Sequence, residues 1–146
     1  MRPRKGFTLV ELVVVIMILG VLAAVAAPRL FSTTKSATDG GLKHSLSVVR
    51  DAIERYSAEN AGALPGADGN ETTFKNDLKN YMRAGQAFPK CPIGAKNDQI
   101  RIETSGNPLT GDASPTKGWA YDTKSGQFIA NSNAVSSDGV TLYQDM

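Results

Sequence analysis

Arg4-Lys5-Gly6-Phe7-Thr8-Leu9-Val10-Glu11-Leu12-Val13-Val14-Val15-Ile16-Met17-Ile18-Leu19-Gly20-Val21-Leu22-Ala23-Ala24-Val25-Ala26-Ala27 decides how this chain is read. From Phe7 to Ala27 only Thr8, Glu11 and Gly20 lack an apolar side chain. At 1.5 Å per residue that run spans about 32 Å as a helix, close to the thickness of a bilayer's hydrocarbon core. β-Branched residues crowd positions 13–16, yet in lipid the backbone must satisfy its own hydrogen bonds, so helix is expected. Arg2, Arg4 and Lys5 precede the run and no basic residue lies within it. The positive-inside rule then keeps residues 1–6 in the cytoplasm and sends residue 28 onward across the membrane. Glu11 is the anomaly, because an ionised group inside a membrane helix is costly and calls for a partner.

A basic cluster, a glycine, an aromatic residue, Thr and Glu fall here at one particular spacing. Arg4-Lys5-Gly6 followed by Phe7-Thr8-Leu9-Val10-Glu11-Leu12 resembles the class III signal of type IV prepilins and type II secretion pseudopilins. The resemblance implies that a prepilin peptidase cuts between Gly6 and Phe7 and N-methylates Phe7. Residues 1–6 would be the leader, 7–27 the membrane and filament-core helix, and 28–146 the exported domain. Glu11 would be fifth in the mature chain and would pair, in a filament, with the N-terminal amine of a neighbouring subunit. A paired buried charge is tolerated where an unpaired one is not, so Glu11 would favour one stagger between subunits. Two other readings exist for the same stretch. One is an ordinary signal peptide cut after Ala24-Val25-Ala26, releasing a soluble binding domain. The other is a plain uncleaved anchor. Neither explains Glu11.

The length suits one exported domain. The formal charge of +2 comes from 16 Lys+Arg and 14 Asp+Glu. Loss of Arg2, Arg4 and Lys5 with the leader leaves a slight acidic excess, so no nucleic-acid partner is expected. Cys91 is the single cysteine, which rules out a disulfide within the chain. Many type IV pilins close a C-terminal loop with one, so this favours the pseudopilin branch. Cys91 itself is read as structural. His44, the single histidine, stands without a second metal-ligand residue nearby and is read as solvated.

Pro28 removes a helix donor and is expected to kink or weaken the helix. Beyond Gly40-Gly41, Leu42, Leu46, Val49, Ile53 and Tyr56 form one apolar helical stripe, an amphipathic helix over about 42–60. Arg50, Asp51, Glu54, Arg55 and Glu59 lie off the stripe and are read as solvent-facing. Residues 52–65, Ala-Ile-Glu-Arg-Tyr-Ser-Ala-Glu-Asn-Ala-Gly-Ala-Leu-Pro, are similar to the helix end of major (G-type) pseudopilins. Residues 67–73 read as loop. Phe74, Leu78, Tyr81 and Met82 suit a short helix, and residues 99–104 alternate like a strand. Residues 118–122 and 127–130 flank Thr123-Lys124-Ser125-Gly126 as a hairpin, with Trp119, Tyr121 and Phe128 facing the helical stripe.

The resemblance implies an α+β pilin fold: a long N-terminal helix, half membrane and half amphipathic, packed on a small antiparallel sheet. It also implies calcium in the C-terminal loop, for which Asp138 and Asp145 are the candidate carboxylates. No catalytic constellation stands out. The implied function is that of a type II secretion pseudopilus subunit, polymerising with itself and meeting minor pseudopilins and an inner-membrane assembly platform. The alternative is a type IV pilus subunit for adhesion, motility or DNA uptake.

Overall fold

The computed structural model describes residues 6–83 and 85–146. Arg2, Arg4 and Lys5 of the expected leader lie outside them. The first element is helix α1, Leu9–Glu59. Its bounds carry it through both Pro28 and Gly40-Gly41, so the amphipathic segment is the C-terminal part of one continuous helix. The chain divides into two compact units, up to Ser36 and from Ala37.

In the first unit, Leu9–Ala27 is long and apolar enough to cross a membrane, and its large side chains are exposed. An apolar helix with no protein against it is what lipid or other copies must cover. Beyond it, the Thr33 and Thr34 hydroxyls donate to the carbonyls of Arg29 and Leu30, both at 2.9 Å.

In the second unit the expected stripe is buried: Leu42, Leu46, Val49 and Ile53 are each at most 4% exposed. Tyr56 packs against the same core from its edge. The helix ends at Asn60-Ala61-Gly62, where Gly62 takes a positive φ of 86° and its N–H donates to Ser57 O at 2.8 Å. Helix α2, Glu71–Leu78, follows and contributes Phe74 and Leu78 to the core. It is capped at Asn70, whose side chain accepts from Thr72 N. Tyr81 and Met82 lie in the turn after it.

The sheet has three strands in chain order: β1 (Ile100–Glu103), β2 (Trp119–Asp122) and β3 (Phe128–Ala130). The β2–β3 hairpin is antiparallel, with Tyr121 opposite Phe128 and Trp119 opposite Ala130. Its turn is held by Asp122. Burial would raise that carboxyl, but the backbone N–H groups of Ser125, Gly106 and Lys124 outweigh it and hold the group down at about 2.

The sheet as a whole is mixed rather than antiparallel, because β1 runs parallel to β2. The reason is the long connection over residues 104–118. It is ample for the crossover of a dozen or more residues that returns a chain to the same end of its neighbour. That connection also covers the sheet's second face. Leu109 packs there on Ala120 and Ile129, so all four residues of β2 are buried. Asp112 pins the connection, accepting from Arg101 at 3.1 Å and from Asn131 Nδ2 at 2.8 Å. On the first face Trp119, Tyr121, Phe128 and Phe74 meet the α1 stripe as an aromatic cluster. Phe74 and Tyr121 are 4.3 Å apart, and Trp119 and Phe128 5.2 Å. Cys91 sits in this core at 1% exposure, and burial raises its thiol to about 11. Gly118 is required beside it, because a Cβ there would overlap the Asn97 carbonyl.

Candidate functional site

The two residues expected to flank the cut, Gly6 and Phe7, are exposed and not helical, and α1 begins two residues later. Phe7 is 81% exposed. The Gly6–Phe7 bond is thus presented on non-helical backbone just ahead of the helix.

Thr8 and Glu11 form a reciprocal capping box. The Thr8 hydroxyl oxygen accepts from Glu11 N–H at 3.3 Å. Glu11 Oε2 accepts from both Thr8 N–H and Thr8 Oγ1–H, each at 2.8 Å. As a charge in an apolar run, Glu11 calls for a partner, and the fold supplies a local one. The signal for its local role was the spacing Thr-x-x-Glu ahead of an apolar run. All the bonds fall on one oxygen. Among the described residues Oε1 receives none, so the carboxylate can close its own first turn and still offer a free acceptor.

A second cluster ties α1 to the C-terminal tail. Asp39 stands one turn before Leu42 on the same stripe and is 7% exposed. Its carboxylate accepts from Ser137 N–H and from Tyr143 O–H, both at 2.9 Å. Burial alone would raise this carboxyl. The bonds from Ser137 and Tyr143, with the nearby Lys43 charge, more than reverse that and leave it below its ordinary value. Arg50, expected in solvent, is half-buried. Its guanidinium donates to Phe128 O at 2.9 and 3.1 Å and to Met146 O at 2.7 Å. The correction has a simple cause: Arg50 lies four residues after Leu46 and three before Ile53, at the border of the buried stripe. Asp51, Glu54, Arg55, Glu59 and His44 are exposed as expected.

Asp138 lies in the loop that this cluster holds. Its carboxylate accepts from Ser136 Oγ at 2.7 Å, Thr141 Oγ1 at 2.7 Å, Val140 N at 2.8 Å and Thr141 N at 2.9 Å. Those bonds, led by Thr141, hold the group far below the usual carboxylate range. Asp145 belongs to a short 3-10 turn, Tyr143–Asp145, and accepts from Gln144 Nε2 at 3.4 Å. Among the described residues no three His, Cys, Asp or Glu side chains gather as a metal site. Calcium needs six to eight oxygens, whereas Asp138 is ringed by hydrogen-bond donors. As folded here, the Asp138 carboxylate closes its own loop, and among the described residues no third acidic side chain gathers with it and Asp145.

A similar chain from Pseudomonas aeruginosa, the type II secretion system core protein G, is 30% identical over 122 residues. The match covers 80% of this chain and 79% of that one. This chain belongs to the type II secretion system core protein G family. The family's member from Klebsiella pneumoniae is 36% identical over 102 residues, 65% of this chain and 73% of its own. A family model described as the prokaryotic N-terminal methylation motif matches residues 1–27. This core protein G relative also resembles the type IV narrow pilus major component of Thermus thermophilus. That match is 44% identical but covers only 64 residues, 44% of this chain and 54% of the other. No solved structure matches. Pilus likeness is therefore high over a shorter stretch, whereas core protein G likeness extends over most of the chain.

Proposed function

We propose that this chain is the major structural subunit of a type II secretion pseudopilus, acting by assembly and not by catalysis. The observation that carries the reading is similarity to core protein G over 80% of the chain, together with the methylation motif at residues 1–27. Prepilin peptidase cuts between Gly6 and Phe7 and methylates Phe7. The exposed, non-helical backbone at that bond suits access by the peptidase. Leu9–Ala27 anchors the subunit as a single pass in the bacterial inner membrane, with the domain from Pro28 onward on the extracytoplasmic side. The same apolar surface then packs against other copies in the filament. Minor pseudopilins and an inner-membrane assembly platform are the further partners.

Glu11 has two duties in this reading. Oε2 holds Thr8 and the first turn, while Oε1 faces the amine of Phe7 on a neighbouring subunit. The charge pair offsets the desolvation that either group alone would suffer. Pro28 leaves the Ala24 carbonyl without its usual donor, which gives the helix one weak point at the end of the apolar segment.

The type IV pilus reading rests on the 44% identity to the Thermus component. Deleting the gene separates the two. Loss of exoprotein secretion with intact twitching and DNA uptake supports the pseudopilus; the opposite pattern refutes it. Intact mass and N-terminal sequencing of membrane-purified protein test the processing. N-methyl-Phe7 is expected, and a start at Ala27 would mean an ordinary signal peptide.

A further inference from the structure

Residues 68–72 read Asp68-Gly69-Asn70-Glu71-Thr72. Asn70-Glu71-Thr72 meets the Asn-x-Thr acceptor pattern for N-linked glycans, in which x is not proline. The acidic residue two positions ahead, Asp68, extends it to the five-residue acceptor used in bacterial N-glycosylation. Such a tripeptide also arises by chance, so its place in the fold decides whether it is usable.

Asn70, the N-cap of α2, and Thr72, in the first turn of that helix, are both exposed. Asn70 has extended backbone, φ −105° and ψ 128°. Its Oδ1 accepts from Thr72 N–H at 2.8 Å, which is its share in capping the helix. Asp68 accepts from Asn70 N–H at 3.0 Å and from the Thr73 hydroxyl at 2.7 Å. The fold thus employs Asn70 Oδ1, the Thr72 backbone and Asp68. Among the described residues it gives no hydrogen bond to Asn70 Nδ2 or to Thr72 Oγ1. Those are the two atoms that glycan transfer needs: the nitrogen as nucleophile and the hydroxyl as the recognised group. The bond to Oδ1 also polarises the amide and makes an Nδ2 proton easier to lose.

We propose that Asn70 is an N-glycosylation site on the exported domain. The donor class is an oligosaccharide on a polyprenyl pyrophosphate. Nδ2 attacks the anomeric carbon, and the C–N bond forms as the bond from that carbon to the pyrophosphate oxygen breaks. The lipid pyrophosphate leaves, the Nδ2 proton passes to a base of the transferase, and nothing is oxidised or reduced. The site rests on the export reading above, because the domain must reach the compartment where the transferase acts.

The test uses full-length protein purified from its own membranes. Mass spectrometry is run on the N-terminal peptide and on the tryptic peptide Tyr56–Lys75. The expected result is a glycan mass on Asn70 in the wild type, lost in Asn70→Gln and in Thr72→Ala. Thr72→Ala is the decisive variant, since it keeps the Asn70 side chain and the Thr72 N–H and so preserves the cap. Methylated Phe7 with wholly unmodified Asn70 overturns the proposal and leaves the export reading standing. A glycan on the peptide that survives Thr72→Ala also overturns it. A start at Ala27 counts against the pilin-type processing but keeps the domain exported, so the Asn70 result is then read in the same way.

Discussion

Replacing Asp39 by Ala removes the one side chain on α1 that receives both Ser137 N–H and Tyr143 O–H. Hydrogen bonds to a charged acceptor contribute about 1.5–3 kcal/mol each. Ser137 is exposed and its N–H turns to water, so that loss is largely offset. Tyr143 is half-buried and packs on the core, so its hydroxyl is the costlier orphan. The expected loss is about 2–4 kcal/mol, a large share of the ~5–15 kcal/mol typical of a domain. Tyr143→Phe should lose about 1–2 kcal/mol, and the double variant less than the sum, because the two groups share one bond. The assay is urea unfolding of the full-length chain in detergent, followed by fluorescence. Trp119 is the single tryptophan and is fully buried, so one signal reports the domain. The pH dependence carries a sign. The folded carboxyl lies below its unfolded value of about 3.9. Its contribution is therefore full above that value and disappears as pH falls through the lower folded one. Asp39→Ala should unfold with less acid dependence than the wild type below about pH 4. An Asp39→Ala variant within about 0.5 kcal/mol of wild type, with unchanged acid sensitivity, would refute the clamp.

Glu11→Ala should leave cleavage after Gly6 intact and abolish filaments; normal filaments by electron microscopy would remove both of its assigned duties. Thr8→Ala, which breaks only the local box, should keep more assembly than Glu11→Ala. Cys91 should resist alkylation at pH 8 in the folded protein and react on unfolding, as its burial and raised thiol require. Rapid native labelling would contradict the core described here. Gly40→Ala should stabilise the domain by about 0.5–1 kcal/mol, because a helical Cβ there meets no atom within 4 Å. A loss of stability on urea titration would refute the open space around Gly40.

The amphipathic stripe and the hairpin were legible because each has a period that only one element satisfies. Spacings of three and four in Leu42, Leu46, Val49 and Ile53 leave helix as the only fit, and the turn at Gly126 pairs its flanks. The direction of β1 was not legible. Alternation marks a strand but carries no record of which way its neighbour runs, and that is set by the long connection over residues 104–118. Asp39 and Arg50 were missed for another reason. A charge on a helix is ordinarily solvated, and only segments far along the chain supply their partners: the tail for Asp39, and β3 with the tail for Arg50. Glu11 stands out in the sequence as a charge inside an apolar run, and the Thr-x-x-Glu spacing supplies a local partner as well. Its partner across a subunit boundary was inferred by resemblance, while the partner three residues back was visible in the spacing.

Arg50 also bears on what the sheet can do to other copies of itself. β3 is an outer strand, and its Gln127 carbonyl and Asn131 N–H already face β2. Alternation turns the carbonyls of Phe128 and Ala130 the other way, toward the open edge. Arg50 occupies the first and Ser132 N–H, at 2.8 Å, the second. A bare edge invites another strand to add on, which for subunits crowded at high local concentration means tangling instead of ordered stacking. With both acceptors taken, that edge offers a passing strand no carbonyl of Phe128 or Ala130, which weakens its grip.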